Sequence, residues 1–427
     1  VADDAGATRR WIGLATLCLV AVIASTGQTL VSVLLQPIKV DLGFSDGTIG
    51  LVTGIAISVV GGFAAFPIAA AADRYGRRGV LAASVIAWSV AAFVMGFAPS
   101  AAVFSLGVVG FNLGDAALLP LLYAMVPALF DDHRRHRANA ILVATLTACA
   151  FGVFAVGGYL LDLLGRIEGL SISPWRAVFV VTAVAGLALV PLLALLPRSA
   201  TADERGRQPA TLGAYVEFLR RDGLVALTVI AGLSIAYAAY MTASFWAPAM
   251  LQRRFGVPTA DAGIWLGWSL AIASIVGIAV AAPVLRRVTS ARGQAASLRI
   301  MAGGACAATA AALALPFASG PTAFVGALAA MSFAMSFLFT SAPLVLQESS
   351  PERFRSRTIA FFPLLALGIR ALSLPLIGFY SDARGGDPAA LVVAVTALLA
   401  VCLPISALIF WRMEPSYRRH LGTRAVV

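Results

Sequence analysis

The sequence predicts an all-α membrane protein of twelve transmembrane helices, arranged as two pseudo-symmetric six-helix bundles. Three observations predict it: an apolar composition, the spacing of the charged breaks, and a repeat at an offset of 220 residues. Of the 427 residues, 60% are hydrophobic and 12% are charged, with a mean hydropathy of +0.90. Soluble domains carry about 25% charged residues, so a globular enzyme of this size is excluded. The net charge of +11 does not point to nucleic acid, because the arginines form short clusters between long apolar runs, and such clusters report membrane topology. Lys39 is the only lysine.

A bilayer core about 30 Å thick needs roughly 20 apolar residues per helix. On that ruler the chain divides into spans near residues 11–35, 47–71, 79–97, 102–126, 138–161 and 177–196, then 223–250, 262–285, 298–317, 322–345, 358–380 and 388–411. Arg9 and Arg10 ahead of the first run give it the look of a signal peptide, but the spans that follow make it the first membrane helix. With the N-terminus inside, 24 of the 31 basic residues fall in inner segments and 6 in outer loops, leaving Arg370 within a span. That asymmetry predicts both termini on the cytoplasmic side of a bacterial inner membrane. The polar stretch 198–222 is the expected cytoplasmic linker between an N-terminal bundle, 1–197, and a C-terminal bundle with a short tail, 223–427.

At an offset of 220, Arg135, Arg137 and Ala140 fall on Arg355, Arg357 and Ala360, while Gly158 and Asp162 fall on Gly378 and Asp382. All five identities sit at topologically equivalent places, so the six-helix unit is read as duplicated. Parallel repeats of this kind are typical of transporters. Cys18, Cys149, Cys306 and Cys402 lie in apolar segments at spacings that match no metal site, and are read as small buried hydrophobes. No nucleotide-binding loop, zinc pattern or nucleophile elbow stands at a suitable position. No catalytic residue, metal or cofactor is expected.

The segment Asp73-Arg74-Tyr75-Gly76-Arg77-Arg78 between the second and third spans resembles the cytoplasmic loop motif of the major facilitator superfamily. Gln36-Pro37, Gly50-Leu-Val-Thr-Gly54, Trp88-Ser89, Gly114-Asp115-Ala116, Trp175-Arg176 and Ser381-Asp382 are similar to its Spinster-like branch. The resemblance implies the major facilitator fold, a lysolipid or sphingoid-type cargo, and a clasp at the inner loop. In that clasp Asp73 sits near the N-terminal end of the eleventh span around Arg357, and Arg77 pairs with Asp131 or Asp132. The chain departs from the branch in two places. Gly27 and Gln28 stand where the branch carries an Asp-Arg pair, and Val108 and Asp115 stand where it carries Arg and Glu.

Asp115 lies near the middle of the fourth span, where an ionised carboxylate costs at least a few kcal/mol. It is either a proton- or substrate-binding acid or a buried, hydrogen-bonded one, and Asn112 shares its face. Arg370 is near the middle of the eleventh span, and a guanidinium does not readily shed its charge. It needs an anion nearby: a substrate carboxylate or phosphate, or a structural partner such as Asp115. Polar stripes at helical spacing add Ser25, Gln28 and Ser32, then Ser234, Tyr237, Tyr240 and Ser244, then Ser332, Ser336 and Thr340. Gln28 and the two tyrosines are the stronger substrate candidates, since serines and threonines also serve ordinary helix packing. The run 131–137, with His133 and His136, is read as a solvated inner loop.

The expected function is secondary transport by alternating access, performed by a monomer on an amphiphilic or organic anion in the lipid bilayer. Protons coupled through Asp115 are a further expected partner. The competing readings are an uncoupled facilitator and a nontransporting receptor for a small amphiphile.

Overall fold

The computed structural model describes residues 2–424 except 117, 131, 198–211, 222, 352–353 and 386. Among the described residues every regular element is helical. The first span is divided into α1 (Ala2–Ala24), α2 (Thr26–Val33) and α3 (Leu35–Leu42); α4 (Asp46–Ile55) runs through a π-helical turn at Ala56–Gly61 into α5 (Gly62–Tyr75). There follow α6 (Arg77–Gly96), α7 (Ala101–Asp115), α8 (Leu118–Leu129), α9 (Asp132–Gly165) and α10 (Pro174–Leu193). A short helix, α11 (Leu212–Arg221), precedes α12 (Leu224–Phe255), α13 (Thr259–Arg292), α14 (Ser297–Ala314), α15 (Pro321–Glu348), α16 (Arg355–Ala383) and α17 (Ala390–Arg424). Eleven of the described stretches are long and apolar enough to cross a membrane. The twelfth expected span is present as two shorter helices, α7 and α8.

That division corrects the expectation of one helix over 102–126. α7 stops at Asp115. A proline ring clashes with the carbonyl four residues earlier and supplies no N–H, and Pro37 aims this defect at Val33, where α2 stops. Proline is not sufficient, because Pro248, Pro343 and Pro363 lie inside unbroken helices. The first break, at Ser25, has another cause: Ser25 Oγ donates to the Ala21 carbonyl and Thr26 Oγ1 to the Ile23 carbonyl, and such back-bonding bends helices. A second correction concerns the run 131–137, expected as a loop. From Asp132 onward it forms the first turns of α9. Likewise α17 continues well past residue 411, to Arg424.

Packing divides the chain into two compact units, residues 1–206 with 258–268, and residues 207–257 with 269–427. In the first unit Trp88 is fully buried on α6, and Phe104, Trp175 and Phe179 meet edge to face. The opening ten residues of α13 belong to this unit and lie backbone to backbone on α9. A Cβ on Gly158 would stand 2.4 Å from the Ala260 carbonyl oxygen, and one on Gly267 would stand 2.3 Å from the Ala155 nitrogen. Trp268 Nε1 donates to Tyr159 Oη across the same seam, at 3.2 Å.

In the second unit α11 packs through Tyr215 and Phe218 against Phe354 and Ala226. The far end of α17 is tied down as well: Tyr417, fully buried, donates to Glu348 Oε2 at 2.8 Å.

Both units close one helix end in the same way. Arg176 Nη1 donates to the carbonyls of Ala98 (2.6 Å) and Gly96 (3.5 Å) at the end of α6. Arg254 donates to Pro316 (2.5 Å), Leu315 (3.1 Å) and Ala318 (3.3 Å) beyond α14. A cation there satisfies orphan carbonyls and complements the helix dipole. Asp41 holds the first arginine, accepting from Arg176 Nε and Trp175 Nε1, each at 3.1 Å.

Candidate functional site

The loop motif is built around Gly76, whose φ of +92° and ψ of 133° suit glycine and strain any residue with a Cβ. It separates α5 from α6 and leaves Arg77 and Arg78 in the first turn of α6. Arg77 Nη1 donates to the Ala124 carbonyl at 3.0 Å, midway along α8, and Arg78 Nη1 to the Leu196 carbonyl at 3.2 Å, just past α10. Both arginines therefore tie the start of α6 to other helices of the first unit. Arg74 is exposed and lies over the Tyr75 ring at 5.3 Å. Asp131 and the side chains of Asp73 and Asp132 lie outside the described residues, and so do the contacts expected of them.

Asp115 is the last residue of α7, at the break in the fourth span. It is half-buried, and no hydrogen bond or ion pair reaches it among the described residues. Its position is fixed from the preceding turn. A Cβ on Gly114 would stand 2.7 Å from the Trp88 nitrogen, so α7 touches the backbone of α6 there. Asn112, buried on the same face, donates through Nδ2 to the Val108 carbonyl at 2.8 Å. Gln28 lies on α2, with its side chain outside the described residues.

In the second unit the structure sorts the polar stripes. Tyr240 is buried and spoken for, its hydroxyl 2.7 Å from Ser332 Oγ. Ser234 donates to the Phe362 carbonyl, Ser244 to the Tyr240 carbonyl and Ser336 to the Ser332 carbonyl. These hydroxyls knit α12 to α15 and α16 or bend back on their own helix, the packing role that small polar residues play in membranes. Thr340 differs, since its buried Oγ1 has no partner among the described residues.

Tyr237 is different again. Its half-buried ring stands edge to face with Phe339 at 5.7 Å and Phe362 at 5.5 Å, and its hydroxyl has no partner among the described residues. Arg370, on α16, is 7% exposed. Its Nε is buried without a hydrogen-bond partner, and no ion pair reaches the guanidinium among the described residues. One turn on, Ser373 Oγ is engaged with Thr242 Oγ1 at 2.7 Å. The second unit thus presents a buried cation with unused donors on α16 and, across α12, α15 and α16, a group of three rings. Asp115 belongs to the first unit and Arg370 to the second.

Long apolar helices with ionisable side chains inside them are the pattern of a membrane transport protein. The family model described as Major Facilitator Superfamily matches residues 17–369. The chain belongs to that superfamily. It is 25% identical over 426 residues to an MFS-type efflux pump of Mycolicibacterium smegmatis, covering 98% of this chain and 96% of that one. It is 26% identical over 212 residues to Probable anion transporter 4, chloroplastic, of Arabidopsis thaliana, covering 49% of this chain and 37% of that one. The fold matches the crystal structure of a bacterial homolog of the human lysosomal transporter Spinster in an inward-facing, unoccupied conformation. That match has a TM-score of 0.75 at 22% identity, over 97% of each chain.

Proposed function

We propose that this transporter carries an amphiphilic organic anion by alternating access, with Arg370 holding the anionic group and the rings of Tyr237, Phe339 and Phe362 holding apolar surface. One observation carries the reading: Arg370 is a buried guanidinium without an ion-pair partner among the described residues. An unpaired charge at this depth is expensive, and a substrate carboxylate or phosphate supplies the missing partner. A site with aromatic walls and few free hydroxyls suits an amphiphile better than a sugar, which wants many hydrogen bonds. The half-length match to an anion transporter supports the charge. The likeness to the Spinster-like branch suggests a lysolipid or sphingoid-type cargo.

In this reading the protein is a monomer in a bacterial inner membrane with both termini cytoplasmic. Asp73, Arg74, Gly76, Arg77, Arg78, Asp131 and Asp132 form its inner clasp, and Asn112, Gln28 and Tyr240 line or brace the path.

The test is thermal unfolding of the purified protein against anionic, neutral and cationic amphiphiles of matched chain length. A ligand that binds the native state at 100 times its Kd stabilises by about 2.7 kcal/mol, so the anionic series is expected to raise Tm by a few degrees and the others not. Equal responses to all three would remove the anion from the proposal.

Asp115, an acid without a partner among the described residues, is proposed as the proton site. In liposomes Asp115→Asn is expected to abolish acceleration of uptake by an imposed pH gradient, while thermal stabilisation by substrate persists. An unchanged gradient response would leave an uncoupled facilitator.

A further inference from the structure

The end of α17 carries a charged cluster with no part in the transport site. Glu414 is 4% exposed, and both its oxygens are taken: Arg299 Nη2 reaches Oε2 at 3.3 Å, and Arg418 Nη2 pairs with Oε1. Two guanidiniums are thereby fixed around one carboxylate, leaving a net positive charge. Their side chains are 46% and 59% exposed. A guanidinium has five N–H donors in a rigid fork, so most of the donors on each arginine remain available to a ligand.

Trp411, three residues before Glu414, is 63% exposed, and Arg299 lies 5.8 Å from its ring. Exposed tryptophans at helix ends mark the headgroup level of a bilayer. The cluster is also held still, since Tyr417 anchors the same stretch of α17 to Glu348. Toward the membrane from Arg299, the exposed face of α14 is made of small residues. Gly303 and Ala307 are exposed there, and a Cβ on Gly303 would meet nothing within 4 Å. On the partner helix α17, Leu408 is 52% exposed. Gly303 and Ala307 follow Arg299 at intervals of four, so the small, exposed face continues along α14 from the cation.

We propose that Arg299 and Arg418, clamped about Glu414 beside Trp411, form a binding site for the phosphodiester headgroup of an anionic phospholipid. Neither the asymmetry of basic residues nor bulk surface charge requires this arrangement. A topology signal is indifferent to how arginines are held, whereas these two are oriented by a buried carboxylate, and bidentate guanidinium–phosphate pairing depends on geometry. The lipid completes the cluster by bridging the two forks, and its chain lies along α14.

The test is thermal unfolding in a neutral detergent with titrated phosphatidylglycerol, phosphatidylcholine or inorganic phosphate. For the wild type, phosphatidylglycerol is expected to raise Tm saturably, and phosphatidylcholine and millimolar phosphate are not. In the Arg299→Gln/Arg418→Gln variant the lipid concentration for half-maximal effect is expected to rise roughly tenfold or more, as the loss of a charge-assisted pair predicts. If that variant does not fold, Arg299→Lys, which keeps the charge and loses the fork, is expected to weaken the lipid response by a smaller factor. An undiminished phosphatidylglycerol response in whichever variant is measured overturns the site. A free-phosphate response equal to the lipid's overturns the assignment to a lipid.

Discussion

Arg370→Leu is expected to unfold at the same temperature as the wild type or a higher one, and to lose its stabilisation by anionic amphiphiles. The sign follows from the surroundings of the guanidinium. Removing one member of a structural ion pair leaves the other charge buried and costs about 3–5 kcal/mol. Arg370 has no such partner among the described residues, so replacing it with an apolar side chain of similar bulk removes a desolvation penalty and leaves no orphan. Binding moves the other way, because truncating one side of a buried, hydrogen-bonded charge pair costs about 2–5 kcal/mol, roughly 30-fold or more in affinity. Arg370→Lys should fall between, keeping the charge without the fork. Melting and ligand titration on the same sample give both readings. A destabilised Arg370→Leu protein that still responds to the anion would assign the residue to the scaffold.

The second large effect is steric. Gly267→Val would put a branched side chain where the nearest neighbours are the backbone nitrogen of Ala155 at 2.3 Å and its Cβ at 2.7 Å. Backbone atoms cannot rotate aside, so α9 and the start of α13 must separate, at about 1–3 kcal/mol for overpacking. The hydrogen bond between Trp268 and Tyr159 should break with them. In thermal unfolding Gly267→Val is expected to melt several degrees below the wild type. An unchanged Tm would show that the two helices are not held this closely.

Much of the fold can be read from the sequence because membrane segments are fixed by length and by where charge is tolerated. The spans from the sixth through the eleventh lie where the apolar runs and arginine clusters put them. The first could not be read as broken at Val33, since Pro37 ends α2 there while Pro248 and Pro343 look the same in sequence and lie inside unbroken helices. The site divides along a similar line. Arg370 and Asp115 stand out because ionisable groups are rare in spans. Tyr237 and Tyr240 lie on one stripe, and only packing shows that Ser332 occupies one hydroxyl while two phenylalanines frame the other ring. The role of Arg176 and Arg254 was hidden as well. They read as exceptions in outer loops, and their partners are carbonyls, which carry no residue identity.

Those two arginines set the halves of the chain apart. The carbonyls they grip are equivalent: residues 96 and 98 become 316 and 318 under the offset of 220, and Phe97-Ala98 recurs as Phe317-Ala318. The arginines are not equivalent. Arg176 corresponds to Thr396, and Arg254 to Leu34. The open helix end is therefore common to the two halves, while the arginine that closes it comes from a different helix in each.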